Sequence, residues 1–146
     1  MRIILRVFLI SVFLLGSGCA KKPGQADISG KYRGYIREKN KTTLAEIELQ
    51  SSADNIEGRF TVLGQAGQNI GKGKSFDIVN AQLSGDNLHF IVPVSESDDV
   101  SMAFNLTVEN GRLRGYANEI RPDSEKIPVI FTKEAETTTP DDSNSQ

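Results

Sequence analysis

The sequence is poor in the residues that most often carry enzyme chemistry. It has one cysteine, one histidine and no tryptophan. A lone cysteine leaves no internal disulfide, and a zinc site made of cysteine and histidine needs more ligands of these types than the chain contains. His89 has no aspartate, serine or cysteine at a spacing typical of a catalytic set, and it is predicted to face outward. We therefore expect a protein that is not an enzyme.

An excess of one charge is also lacking, since 17 basic and 19 acidic residues give a net charge of −2. Without a general basic excess, nucleic acid is not an expected partner. The glycine-rich segment 64–75 lacks the spacing of a phosphate-binding loop, and Glu96, Asp98 and Asp99 lack the pattern of an EF-hand. No cofactor and no metal site are predicted.

The longest apolar run of the chain lies near its beginning. Arg2 and Arg6 precede the apolar segment 7–15, which small residues follow, and this arrangement is typical of a secretory signal. The run is about half of the roughly 20 residues that a transmembrane helix needs. It ends at Cys19, the single cysteine of the chain.

Residues 15–19, Leu-Gly-Ser-Gly-Cys, resemble the lipobox of bacterial lipoproteins, with Gly16 where leucine is commonest. The resemblance implies that residues 1–18 are cleaved and that Cys19 becomes the lipidated first residue. An ordinary cleaved signal with an incidental thiol is the alternative, although an exposed free thiol is a liability outside the cell. Ala20 replaces the aspartate that retains such proteins in the inner membrane, which favours the periplasmic side of the outer membrane in a Gram-negative host.

From residue 28 onward, apolar residues recur at every second position, the period of a strand with one buried face. Asn110-Gly111 and the segment 84–87 are typical of tight hairpin turns. All connections are too short for a helical crossover, so neighbouring strands are expected to pair antiparallel. The eight predicted strands cover residues 28–36, 45–49, 56–62, 76–83, 88–94, 102–108, 113–117 and 127–131.

We therefore predict an all-β domain, a single antiparallel eight-stranded meander closed into a small up-and-down barrel, because closure removes exposed strand edges. The apolar phase changes near Ile78, which indicates a bulge there. The topology resembles that of lipocalins and avidins, and Gly30-Lys31-Tyr32 stands where lipocalins carry Gly-x-Trp. The lack of tryptophan argues against an avidin-like biotin site, so the resemblance implies the topology and no functional residue.

The predicted domain boundaries follow from these segments. Residues 1–18 form the signal peptide, residues 19–27 the lipidated amino terminus and a short linker, and residues 28–133 the barrel. The acidic segment 134–146 lacks large apolar residues and is predicted to be disordered. The linker itself, residues 20–26, spans at most about 25 Å, so the barrel is expected to stay close to the membrane.

One outer surface of the barrel is a candidate binding site. The sequence Gly-Lys-Tyr-Arg-Gly-Tyr at 30–35 is matched in type by Gly-Arg-Leu-Arg-Gly-Tyr at 111–116. In a closed barrel the last strand lies between these two segments, so their outward residues form one basic face that carries aromatic rings. Such a face suits an envelope protein, lipopolysaccharide or peptidoglycan. Its predicted members are Lys31, Arg33, Tyr35, Arg37, Arg112, Arg114 and Tyr116.

The barrel interior is the other candidate. It is almost wholly apolar, with Tyr32 as its main polar group, and a barrel of eight strands either fills with side chains or holds one small ligand. Our main hypothesis is a membrane-anchored, non-enzymatic binding module for an envelope partner. The alternative is a lipocalin-like carrier of a small hydrophobic ligand. The sequence does not predict an oligomeric state.

Overall fold

Antiparallel strands account for the regular structure of the described residues. The computed structural model describes residues 26–67, 73–94 and 100–135. These ranges contain no helix that is long and apolar enough to cross a membrane. The nine strands of this part are β1 (Gly30–Glu38), β2 (Lys41–Ser51), β3 (Ile56–Gln65), β4 (Lys74–Asp77), β5 (Val79–Ser84), β6 (Asn87–Pro93), β7 (Ser101–Glu109), β8 (Arg112–Glu119) and β9 (Ile127–Lys133).

The strands form a single antiparallel sheet that curls into a nearly closed barrel. Their order is β4-β3-β2-β1-β9-β8-β7-β6-β5, so the first strand pairs with the last and joins the two halves of the meander. The sheet begins at β4 and ends at β5, which follow one another in the chain. The predicted all-β, up-and-down antiparallel barrel is therefore confirmed.

The strand count is nine rather than the predicted eight, because the fourth predicted strand is divided at Ile78. The amide of Ile78 donates to the carbonyl oxygen of Gly58 at 2.9 Å, and Asn80 has a left-handed backbone with φ of 53°. As a result β4 pairs with β3, while β5 pairs with β6. The irregularity predicted here is present, and the β5–β6 register shifts between Val79 and Gln82. This divided segment brings the barrel close to closure.

Alternating side chains fill the interior. The ring of Phe104 stacks on Phe90 with 4.9 Å between centroids and lies 5.2 Å from the ring of Phe60. No polar or charged residue is classed as buried within the described ranges. The core consists of Ile28, Tyr32, Ala45, Ile47, Leu49, Phe60, Ile78, Leu88, Phe90, Val92, Phe104, Leu106, Leu113, Ala117, Val129 and Phe131.

The segment before β1 packs onto the barrel through Ile28. The side chain of Ile28 is fully buried, and its carbonyl oxygen accepts a hydrogen bond from the Tyr32 hydroxyl at 3.0 Å. Ser29 adds a second attachment, because its hydroxyl oxygen accepts the amide of Ser51 at 3.0 Å. Burial, helped by the negative charge of Asp27, raises the pKa of Tyr32 above its ordinary value of 10.0.

Replacing Tyr32 with phenylalanine is expected to lower the free energy of unfolding by about 1–2 kcal/mol at pH 7, because the Ile28 carbonyl loses its donor. The raised pKa means that the folded state holds the phenol proton more tightly than the unfolded state. The protonated Tyr32 hydroxyl therefore gives the wild type its full contribution to stability below about pH 10, and this contribution declines above that pH. Urea denaturation at pH 7, 9 and 10.5 should show a smaller alkaline loss for Tyr32→Phe. Equal stability of the two proteins at pH 7 would contradict the role of this hydrogen bond.

The two ends of the barrel differ in what they carry. At one end, which we name the terminal end, lie both ends of the described chain together with turns of two to four residues. At the other, the loop end, three of the four connections are longer, and the β1–β2 turn at 39–40 is short. A linker that leads back to residue 19 leaves from the terminal end. The terminal end carries residues 26–29, 52–55, 85–86, 110–111 and 134–135, and the strands are joined at the loop end by residues 39–40, 66–73, 94–100 and 120–126.

Candidate binding face

Strand β9 lies between β1 and β8, so the two matching segments of the sequence flank it. Thr132 pairs with Arg33 on one side and with Arg112 on the other. One row further, Ile130 lies between Tyr35 and Arg114 in the same way. The predicted adjacency across β9 is thus present for Arg33, Tyr35, Arg112 and Arg114. We name this surface the β9 face, and it comprises Lys31, Arg33, Tyr35, Arg37, Arg112, Arg114, Tyr116, Pro128, Ile130 and Thr132.

The centre of the β9 face is apolar and exposed. Ile130 retains 47% of its accessible surface and Tyr35 retains 49%, although both are large hydrophobic side chains. The residues of β9 itself were not among the predicted members of the site. The available signal was Ile130, an aliphatic residue at an outward position between the buried Val129 and Phe131. An exposed aromatic and an exposed aliphatic side chain in one row are typical of contact surfaces.

Part of the positive charge on the β9 face is already balanced. Glu46 of β2 accepts a hydrogen bond from Arg33 at 2.9 Å and lies 3.4 Å from the ammonium group of Lys31. The Nε atom of Arg33 is also 3.2 Å from a carboxylate oxygen of Glu134. The hydrogen bond to Glu46, together with the charges of Glu134 and Glu46, raises the pKa of the Arg33 guanidinium. Lys31 and Arg33 therefore offer less charge to a partner than the sequence pattern indicated.

Three arginines of the β9 face have no ion-pair partner among the described residues, although Arg112 lies opposite Glu109 in the β7–β8 register. Within residues 26–67, 73–94 and 100–135, Arg37, Arg112 and Arg114 form no ion pair. Arg114 pairs in register with Thr107 on β7 and with Ile130 on β9, which are uncharged. These guanidinium groups are free to bind a carboxylate or phosphate from outside.

At the loop end the β9 face continues into an open cleft of about 570 Å³. Pairing of β1 with β9 ends at Ile36 and Val129, next to Pro128, which has no backbone N–H to donate. Arg37 and Pro128 line both the cleft and the face. The ammonium group of Lys126 lies 4.4 Å from the centre of the Tyr116 ring, a cation–π contact at the boundary of the two surfaces.

His89 lies on the outer surface on the far side of β8. Its Nδ1 atom is 3.0 Å from the side-chain oxygen of Asn105, and the imidazole is half-buried. A shallow depression of about 560 Å³ includes these two residues together with Arg114 and Tyr116. The histidine is thus held by an amide rather than by a carboxylate, and the depression borders the β9 face.

Several predicted features lie outside the described residues. They are Cys19 with the rest of segment 1–25, the acidic residues Glu96, Asp98 and Asp99, and residues 136–146. Within the part of the chain that is described, no group of three or more His, Cys, Asp or Glu side chains is placed to hold a metal ion.

The fold and the face together define a class: a small antiparallel up-and-down β-barrel with an exposed basic and apolar outer face. Comparisons with protein-family models and with the curated proteins find no match to this chain. The function of this protein is therefore inferred from the residues of the β9 face themselves.

Proposed function

We propose that this protein is a lipid-anchored lipoprotein of the bacterial cell envelope that acts as a non-enzymatic binding module. The lipobox-like segment ending at Cys19 supports the anchor. The observation that carries the binding role is the β9 face, where Tyr35 and Ile130 are exposed beside arginines without ion-pair partners among the described residues. Burying this apolar surface against a partner stabilises a complex, and the arginines select a partner of negative charge.

The position of the anchor suits this role. Residues 26–29 lie at the terminal end, so a lipid on Cys19 holds that end toward the membrane through a linker of at most about 25 Å. The β9 face runs along the side of the barrel from the terminal end to the cleft at the loop end. A partner in the envelope can then reach the face without displacing the anchor.

The chemistry of the face favours an anionic envelope partner. Guanidinium groups bind phosphate and carboxylate oxygens in pairs, and the exposed Tyr35 and Ile130 add apolar contact area. Lipopolysaccharide, peptidoglycan and acidic protein surfaces all carry such groups. The shared feature is a negative charge next to an apolar or ring-shaped surface.

The interior gives less support to the alternative of a lipocalin-like carrier. In the core, the ring of Phe104 contacts the rings of both Phe60 and Phe90. The Tyr32 hydroxyl, the main polar group available to orient a ligand, already donates to the Ile28 carbonyl. These contacts favour a filled core over a ligand pocket.

A photo-cross-linking experiment in cells tests the proposed face. The full chain carrying Ile130→p-benzoylphenylalanine is expected to form adducts with an envelope molecule upon irradiation, and mass spectrometry then distinguishes a lipid, a glycan and a protein. Adding Arg112→Gln and Arg114→Gln should reduce the adduct about tenfold, because two charged contacts are lost.

Two controls accompany this experiment. Gln82→p-benzoylphenylalanine places the same probe at an exposed position on β5, away from the β9 face, and should give no such adduct. The pair Arg59→Gln and Lys74→Gln removes the same charge from β3 and β4 and should leave the Ile130 adduct unchanged. Adducts at Ile130 that do not depend on Arg112 and Arg114 would refute the proposed binding mode.

A further inference from the structure

The chain leaves β9 against the β9 face. After Lys133, the amide of Glu134 donates to the carbonyl oxygen of Lys31 at 2.8 Å, and its carboxylate lies 3.2 Å from the Nε atom of Arg33. On the other side, the amide of Lys133 donates to the carbonyl oxygen of Gly111 at 2.7 Å. The exit of the chain is therefore held between β1 and β8. The first acidic residue beyond the barrel already neutralises an arginine of the face.

The sequence that follows is complementary in charge to the remainder of the face. Segment 134–146 contains Glu134, Glu136, Asp141 and Asp142 and no lysine or arginine. The face retains the positive charges of Arg37, Arg112 and Arg114, which have no ion-pair partner among the described residues. Because the segment is covalently attached next to these arginines, its effective concentration there is on the order of millimolar, which lets weak charge contacts form.

The segment is also long enough to cover the face. Thr132 and Pro128 are four residues apart on β9, a distance of about 13 Å along a strand. Residues 136–146 extend at most about 40 Å, so their acidic side chains can reach both Arg112 and Arg114. The segment has no large apolar side chain to cover Tyr35 and Ile130, so its hold on the face depends on charge.

We propose that the acidic segment 134–146 lies back along the β9 face and competes there, in the same molecule, with the anionic partner. This inference rests on the proposed role of the β9 face and adds a regulatory occupant to it. Since charge alone holds the segment, raised ionic strength or a partner that also buries Tyr35 and Ile130 displaces it. By competing for the β9 face, the segment favours partners that also make the apolar contacts with Tyr35 and Ile130.

The contact can be tested in the purified full-length protein in detergent, with Ile130→p-benzoylphenylalanine as the probe. Trypsin cleaves after Lys126 and Lys133, so the probe is on peptide 127–133 and the acidic segment on peptide 134–146. We expect a cross-link between these two peptides. It should fall at least threefold in the variant Glu136→Gln, Asp141→Asn, Asp142→Asn and at high salt.

The matched control neutralises the same number and type of acids at Asp54, Glu57 and Asp86, which lie away from the β9 face, and should leave the cross-link unchanged. Isotope-labelled and unlabelled protein are mixed before irradiation. A cross-link that joins a labelled peptide to an unlabelled one then shows that the two peptides come from different chains. Absence of the cross-link, its insensitivity to the three substitutions in the acidic segment, or cross-links that join two different chains would each overturn the proposal.

The envelope adduct in cells separates this inference from the proposed function. If the segment competes for the face, its neutralisation should raise the yield of the Ile130 envelope adduct about threefold. An intramolecular cross-link without any envelope adduct would refute the proposed function and leave the self-contact standing. An envelope adduct without the intramolecular cross-link would refute the self-contact alone.

Discussion

Replacing Cys19 with serine is expected to abolish lipid attachment completely. Each buried methylene group of an acyl chain contributes about 0.8 kcal/mol to membrane binding, so the loss of several chains removes tens of kcal/mol from the anchor. Because the proposed lipidation requires the thiol of Cys19 and a serine hydroxyl does not replace it, labelled palmitate should no longer enter the protein. The measurement is palmitate incorporation in growing cells, together with fractionation of membranes and soluble material. The labelled band should disappear, and any cleaved product should move to the soluble fraction.

The neighbouring residue gives a matched control for this experiment. Ala20→Asp leaves the cysteine in place, so palmitate incorporation should remain at the wild-type level, and in a Gram-negative host the protein should shift from the outer to the inner membrane. Incorporation of palmitate into Cys19→Ser at the wild-type level would show that this residue is not the lipidation site.

The second large effect is expected for Gly34→Val, which should destabilise the barrel by more than about 3 kcal/mol. A Cβ atom at Gly34 would lie 2.0 Å from the carbonyl oxygen of Ile130 and 2.7 Å from the Cα atom of Phe131. Both obstacles are backbone atoms of β9, so β1 can accept a side chain only by separating from its partner strand. A loss of this size is a large part of the 5–15 kcal/mol that stabilises a typical domain.

Thermal denaturation by circular dichroism is the measurement, and a decrease of the melting temperature by more than about 12 °C is expected for a domain of this size. Thr132→Val changes an exposed residue of β9 and should stay within about 0.5 kcal/mol of the wild type. Gly115→Val should behave like Gly34→Val, since its Cβ atom would lie 2.0 Å from the carbonyl oxygen of Asn105. A Gly34→Val variant as stable as the wild type would show that the strands can move apart without loss.

These glycines explain why the motif shared by 30–35 and 111–116 is repeated. Gly34 and Gly115 occupy equivalent places in the two segments, and both let neighbouring backbone approach closely. The arginine before each of these glycines and the tyrosine after it point outward. They are Arg33 and Tyr35 in the first segment and Arg114 and Tyr116 in the second. One strand pattern therefore serves the close packing of the barrel with its glycines and supplies the β9 face with its arginines and tyrosines.

Most of the strand arrangement was predictable because it depends on local pattern. Alternation of apolar and polar residues marks a strand with one buried face wherever it occurs, and tight turns such as Asn110-Gly111 bring consecutive strands into antiparallel pairs. The division of the fourth predicted strand into β4 and β5 was harder to predict from the sequence. Whether the phase change near Ile78 is a bulge within one strand or a break between two depends on the hydrogen bond from Ile78 to Gly58, a residue of another strand.

The members of the candidate face were predicted in part for the same reason. Outward positions on two strands follow from the period of two, and their adjacency follows from barrel closure. Ile130 was not predicted as a member of the face because its strand is recognised by the inward apolar residues. An outward aliphatic residue between them does not change that pattern. The ion pairs of Arg33 were not predicted, since the pair with Glu46 depends on the exact register of β1 and β2, and the pair with Glu134 joins residues at opposite ends of the barrel sequence.

The strand pattern and the antiparallel order could be predicted from the sequence, because both depend on neighbouring residues and their spacing; lipidation of Cys19 stays a prediction of the same local kind. How much charge on the β9 face is left to bind a partner depends on the tertiary structure. Glu46 and Glu134 neutralise one side of the face. On the other side, Arg114 lies between the uncharged Thr107 and Ile130, and Arg112 lies between Glu109 and Thr132 without forming an ion pair. The net charge that a surface offers to a partner depends on which charged residues become neighbours on folding. The register between strands determines which charged residues those are.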